Sequence, residues 1–238
     1  MFIKLKMRLS IVVPTYNEAE NIRKLVYLLD YNLSSLKYEI IIVDDNSPDG
    51  TGEIARELSI KYPLKIIHRD RKLGLATAVL DGFKIAKGDL LCVMDADLSH
   101  PPEEIIKMID HLKRDSADVI VASRLIGGGK IEKWPAFRKF ISFCAKCLVR
   151  PLTNIKDPMS GFFIINRNTI ENVPLNPLGY KILLEILVKG RYKKAVEHPF
   201  VFKNRAYGKT KLDSKIVFHY FVHVVRLYYY SIFSKKHE

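Results

Sequence analysis

No Gly-x-Gly-x-x-Gly occurs anywhere in the 238 residues, which argues against an enzyme of nicotinamide or flavin dinucleotides. Gly127-Gly128-Gly129 lacks the spacing of a phosphate loop and reads as a flexible joint. Cysteine is scarce. Cys92 lies inside an apolar run, and Cys144 and Cys147 form a single C-x-x-C with no second pair. That count excludes a disulfide framework, argues against a zinc or redox role, and suits a reducing compartment. Met1 to Lys6 has no sustained apolar run, so it does not read as a signal peptide. Acids are also few, 26 against 39 Lys and Arg, for a formal charge of +13. This surplus favours acidic partners: phosphorylated ligands, anionic lipid or nucleic acid. No nucleic-acid motif accompanies the charge.

The stretch Asp89 to Pro102 organises what is present. Asp89 to Met94 is an apolar run of strand length, followed by Asp95-Ala96-Asp97-Leu98-Ser99-His100-Pro101-Pro102. On an extended backbone residues i and i+2 share a side, so Asp95 and Asp97 should aim at one spot, with Ala96 turned away. Paired carboxylates at a strand's carboxyl end suit a hard cation, Mg²⁺ or Mn²⁺, completed by water and phosphate oxygens. The plainer reading is a solvated turn with two capping acids before Pro101.

The rest of the chain alternates strand and helix. Ser10–Val13, Ile40–Val43, Leu64–His68, Asp89–Met94 and Val119–Ala122 are apolar strands. Helices are expected from Ile22 to Leu29, Glu53 to Lys61, Ala76 to Ala86 and Pro101 to about Arg114. Short connections predict right-handed crossovers and an α/β fold with a mainly parallel sheet flanked by helices. Polar residues then gather at one sheet edge: Tyr16, Glu18, Asp44, Asp95, Asp97, Ser123 and Arg124. Beyond Arg124, helices are expected over Pro135–Arg150 and Tyr180–Val188, with Val196–Phe202 extended and broken at Pro199.

Several stretches, in order, carry a family likeness. They are Val13-Pro14-Thr15-Tyr16-Asn17-Glu18, Val43 to Thr51, Asp95 to Pro101, Ser123-Arg124, Asp157 to Phe163, Gly179 to Glu185 and Arg205 to Lys211. Over residues 8 to 212 the chain resembles a family 2 glycosyltransferase of the GT-A fold, and within it the dolichol-phosphate mannosyltransferases. The resemblance implies that Pro14, Tyr16, Glu18, Val43 and Asp44 hold the nucleotide of a donor, with Asp95, Ala96 and Asp97 beside its diphosphate. Asp95 and Asp97 would hold the Mg²⁺ or Mn²⁺. Ser99 stands where the family commonly has Gln as a third ligand; it is shorter, and a water is the alternative. Arg124 and Arg138 would grip an acceptor phosphate, and Arg205 and Lys211 would close over the donor as part of a mobile loop. Without the family match, surface ion pairs for the two arginines and helix capping for Tyr16 and Glu18 would serve as well.

The implied reaction moves mannose from GDP-mannose to dolichyl or polyprenyl phosphate with inversion. Asp97, Arg124, Arg138, Arg205 and Lys211 are its catalytic set. UDP-glucose on the same lipid is the alternative donor, and a non-catalytic membrane scaffold the alternative of another class. An acceptor phosphate is already an oxyanion, so no catalytic histidine is required.

Ile216 to Phe233 is mostly apolar and aromatic, and as a helix would be about 27 Å long. His219, His223, Arg226 and Tyr230 fall on one polar stripe, and a central Arg is costly in hydrocarbon. The expectation is a catalytic domain over residues 1–211 and an amphipathic membrane-surface helix over 212–238. The other reading is a helix packed on the domain. With no second apolar span, the chain resembles the family's form that works with a small membrane-protein partner, peripheral on the cytoplasmic face of a membrane.

Overall fold

The computed structural model describes residues 7–131, 145, 147–179, 181–202 and 214–233. The strands are β1 (Arg8–Thr15), β2 (Lys37–Asp44), β3 (Leu64–His68), β4 (Leu90–Val93), β5 (Val119–Ser123), β6 (Lys130–Ile131), β7 (Phe163–Asn166), β8 (Ala195–Pro199) and β9 (Val201–Phe202). The helices are α1 (Ala19–Leu33), α2 (Thr51–Leu58), α3 (Leu75–Ile85), α4 (Glu104–Arg114), α5 (Ile182–Lys189) and α6 (Ser214–Phe233). Among the described residues, seven strands form one sheet in the order β3-β2-β1-β4-β7-β5-β8, and β6 pairs with β9. Every pairing in the large sheet is parallel except the two made by β7.

The apolar runs are continuous because both faces are covered. Alternate residues go to opposite sides. Ile11, Val13, Ile40, Ile42 and Cys92 pack under α1, α2 and α4 with Ile22, Leu25, Ala55, Ile105 and Met108. Val12, Ile41, Val43, Leu91 and Val93 pack under α3 and α5 with Val79, Phe83, Leu183 and Ile186. A one-residue slip in any of these strands would exchange the two faces.

The chain leaves β1 for β2 on one side and returns on the other as β4. The sheet therefore reverses direction of growth between β1 and β4, which is where open α/β sheets take ligands. The insertion of antiparallel β7 between β4 and β5 differs from simple strand-helix alternation. Its register sets Phe163 opposite Val93 and Val121, so the turn before it, Asp157 to Gly161, arrives at the same edge.

The C-terminal helix sits against the domain. Val224 and Leu227 are buried with Val149, Leu184 and Val188. Burying those two side chains contributes roughly 3–6 kcal/mol before entropy is counted. The expected polar stripe is corrected here. His219 and Arg226 are exposed but His223 is buried, its Nδ1 facing the Leu178 N–H at 3.5 Å. The outward face is instead aromatic and aliphatic: Phe218, Phe221, Val225, Tyr229, Ile232 and Phe233. No described helix is long and apolar enough to cross a membrane.

Candidate active site at the carboxyl edge of the sheet

The β1 and β2 ends meet in register, Pro14 opposite Val43 and Thr15 opposite Asp44, and Asp44 lies opposite His68 of β3. Asp44 is fully buried. Its carboxylate accepts the hydroxyls of Thr15 and Ser47, the Ser47 N–H at 3.1 Å, and faces His68 Nδ1 at 3.0 Å. A Cβ at Gly52 would stand 2.9 Å from His68 Nδ1 and 3.2 Å from Asp44 Oδ2, so a side chain here would press on the His68–Asp44 pair. The two loops are stitched together by Asn17 N–H to Ser47 Oγ, Glu18 N–H to Thr51 Oγ1 and Ala19 N–H to Asp49 Oδ2. Burial would raise the Asp49 pKa, but the Thr51 hydroxyl and the N–H groups of Ala19 and Thr51 hold it below the usual range.

Next to this pocket the basic loop after β3 is pinned. Asp45 accepts from Arg69 Nη1 at 3.1 Å and from the N–H groups of Leu73 and Gly74. Lys72 Nζ then lies 3.4 Å from the centre of the Tyr16 ring, a cation–π contact.

After Val93 the backbone leaves the strand and bends over residues 96–98, with Leu98 at φ 62°. Asp95 and Asp97 therefore reach the site through a bend, not by strand alternation. A leucine at positive φ carries steric cost, which the surrounding bonds offset. Ser99 donates its N–H and hydroxyl to Asp97 Oδ1, at 3.1 and 2.6 Å. His100 Nδ1 accepts the Asp95 N–H, so the ring proton lies on Nε2, 3.8 Å from Asp95 Oδ2. The ring stacks on Phe162 with centroids 5.1 Å apart. Burial pushes the His100 imidazole below its ordinary pKa; Asp95 and Asp97 pull the other way without overcoming it.

Asp95 is part-exposed, whereas Asp97 and Ser99 are buried. A Cβ at Gly161 would stand 3.3 Å from Asp95 Oδ1 and from His100 Cε1, so a side chain here would crowd both. Oxygen donors from two carboxylates, one of them beside Gly161, fit a hard divalent cation that keeps waters and substrate oxygens as its other ligands. Among the described residues no cluster of three or more His, Cys, Asp or Glu could hold a metal, so such an ion would rest on this pair. The Ser99 hydroxyl is engaged with Asp97, which suits it better to orienting that carboxylate than to a separate third position.

At the end of β5, Arg124 forms a fork on the buried Asp157, Nε to Oδ2 at 2.7 Å and Nη2 to Oδ1 at 2.8 Å. Burial alone would lower the Arg124 pKa; Asp157, with help from Asp95, holds it above the ordinary value. Arg124 thus stands within the field of Asp95, with its Nε–Nη2 edge turned to Asp157. Arg138, Arg205 and Lys211 lie outside the described residues, as do most of the expected Pro135–Arg150 helix and Tyr180. The structure brings together Pro14, Tyr16, Glu18, Val43 and Asp44 on one side and Asp95, Ala96, Asp97, Ser99 and Arg124 on the other. Sequence reasoning gave no site role to His68, Asp45, Lys72, His100 or Asp157. Asp45, His100 and Asp157 lie inside the family-like stretches, and their chemistry was the available signal.

A profile of Glycosyl transferase family 2 matches residues 10–173. The chain belongs to this family. It is 50% identical over 225 residues to a dolichol-phosphate mannosyltransferase of Pyrococcus furiosus, covering 93% of this chain and 64% of that protein. It spans less than two thirds of that relative's length. The dolichol-phosphate mannosyltransferase of Saccharomyces cerevisiae is 39% identical, with 93% and 87% covered. Among solved structures, glucosyl-3-phosphoglycerate synthase of Mycobacterium tuberculosis superposes with a TM-score of 0.69 at 17% identity, over 93% of this chain and 80% of that one. A mannosyltransferase of Pyrobaculum calidifontis in complex with GDP-Man and Mn²⁺ gives 0.61 at 19%, over 96% and 65%. The mixed sheet with flanking helices is the GT-A fold of these neighbours.

Proposed function

We propose that this family member transfers mannose from GDP-mannose to dolichyl or polyprenyl phosphate, with inversion at the sugar carbon. The observation that carries the reading is the convergence of Asp44, Asp95, Asp97 and Arg124 on one sheet edge, in a chain half identical to a relative of that name.

Pro14, Tyr16, Glu18, Val43 and Asp44 form the nucleoside side. Asp44 is the fixed point from which the two stitched loops are hung. Asp95 and Asp97, with Ala96 between them, would hold Mg²⁺ or Mn²⁺. When bound, the ion supplies Lewis acidity toward the leaving diphosphate. Ser99 and His100 keep the carboxylates aimed, one through Asp97 Oδ1 and the other through the Asp95 amide. Arg205 and Lys211 meet the diphosphate as its charge grows. Arg138 grips the acceptor phosphate with a planar fork. Arg124 adds positive charge beside Asp95 while its Asp157 partner fixes its direction. His100, buried and neutral, does not serve as a base, and an acceptor phosphate needs none.

The outward face of α6 supports a peripheral seat on a membrane surface or on a small membrane-protein partner. Incubation with polyprenyl phosphate and either labelled GDP-mannose or labelled UDP-glucose tests the reading. Lipid-linked mannose is expected. Preferential glucose transfer would replace the donor, and no transfer with either would favour the scaffold alternative.

A further inference from the structure

Away from the sheet edge, two histidines from different elements meet. His111 is in the last turn of α4 and His198 is in β8, opposite Ala122 of β5. Their Nδ1 atoms are 3.3 Å apart, and their rings cross at 64°. Each ring turns its other nitrogen toward a carboxylate: His198 Nε2 is 3.0 Å from Glu104 Oε2, and His111 Nε2 is 3.6 Å from Asp115 Oδ2. Glu104 accepts a proton-bearing nitrogen, so His198 carries its hydrogen on Nε2 and a lone pair on Nδ1. Asp115 favours the same tautomer in His111. In that tautomer two lone pairs point into one gap, which takes either a shared proton or a metal ion.

We propose that His111 and His198 form a second metal site, for a borderline ion such as Zn²⁺, Ni²⁺ or Cu²⁺. The gap has the right size. A tetrahedral ion with metal–nitrogen bonds of about 2.0–2.1 Å sets its ligands about 3.3–3.4 Å apart. The outer carboxylates supply the histidine–carboxylate pairing that fixes tautomer and ring direction around bound zinc. No third His, Cys, Asp or Glu completes a cluster among the described residues, so water fills the remaining positions. Both side chains are part-exposed, which gives the ion a way in. Lys107 on Glu104, and Arg114 and Lys194 on Asp115, offset the carboxylate charge. The site therefore selects by imidazole nitrogen and not by net charge, opposite to the oxygen-only preference of Asp95 and Asp97. An ion here clips α4 to β8, two residues ahead of Phe200, whose ring packs at 5.9 Å on His100.

Equilibrium dialysis against Zn²⁺, with excess Mg²⁺ to occupy the carboxylate pair, tests this without reference to sugar transfer. Wild type should bind zinc with a rise in melting temperature. His198→Asn or His111→Gln should weaken that binding by more than about tenfold, and Glu104→Gln by about 10–100-fold. Melting curves without metal establish that each variant is folded. Wild type loaded with Co²⁺ gives a reading that needs no variant: intense visible bands of a tetrahedral complex. Zinc binding equal in wild type and both histidine variants, or no binding and no tetrahedral bands in wild type, would overturn the site and leave a proton-bridged pair.

Discussion

His100 accepts the backbone N–H of Asp95 through Nδ1 at 3.0 Å, from within a wall of Phe162, Phe200 and Phe202. The neutral ring thus aims the loop that carries both carboxylates, although it donates nothing to a reacting atom.

His100→Phe keeps the stacked volume and removes the acceptor. Outer partners of this kind are worth about 10–100-fold in metal affinity or activity. The Mn²⁺ concentration for half-maximal transfer should rise by that order, with melting temperature little changed. An unchanged Mn²⁺ requirement would reduce His100 to packing. The same substitution has a pH signature. The folded state holds the His100 pKa below the unfolded value of 6.5, chiefly by burial. Between those two values the unfolded chain binds the extra proton, so the stability is present above about 6.5 and lost as pH falls toward the folded pKa. Urea midpoints at about pH 7.5 and 5.5 should fall further in wild type than in His100→Phe. His111 and His223 are shifted in the same direction, and the difference between the two proteins isolates His100.

The Arg124–Asp157 fork should be strongly coupled. Asp157→Ala leaves a mostly buried guanidinium without its counter-charge and should cost roughly 3–5 kcal/mol. Arg124→Met with Asp157→Ala should cost less than the single Asp157 change. Urea denaturation of the full cycle measures this. Additive losses would mean that the fork is not a structural unit.

The two faces of α6 should separate. Leu227→Asp, on the packed face, should destabilise the whole domain, because it places a charge beside Leu184 and Val188. Phe221→Ser with Tyr229→Ser, on the outward face, should leave melting temperature unchanged and reduce transfer to long polyprenyl phosphate in vesicles. Transfer to a short soluble acceptor should be spared. Equal loss on both acceptors would remove the membrane role.

Arg138→Ala should raise the acceptor requirement by the equivalent of about 2–4 kcal/mol, as for loss of a desolvated charged contact. Donor binding measured by calorimetry should be nearly unaltered. An equal loss on both substrates would make Arg138 a support for the whole site.

The sheet was legible because continuous apolar runs such as Ile40–Val43 and Leu90–Val93 are too short for helices and suit strands buried on both faces. The edge cluster followed from their parallel direction. The antiparallel course of Phe163–Asn166 was not legible, since so short an apolar run carries no direction and only pairing with Leu90–Val93 and Val119–Val121 supplies it. The bend at Leu98 was hidden because leucine gives no hint of positive φ. His223 was misjudged because the tail is apolar nearly all round, so its inward face is chosen by the groove beside α5 and not by its polar stripe.

The central claim, that the Asp95–Asp97 pair at the β1–β4 switch point runs the transfer, is tested most directly by Asp97→Asn. Asparagine keeps an oxygen for Ser99 to donate to and removes the charge. Initial rates of lipid-linked mannose formation from GDP-mannose, with saturating Mn²⁺, should fall by about 10²–10³ while the melting temperature holds. A variant retaining about a tenth of the wild-type rate or more would contradict the account.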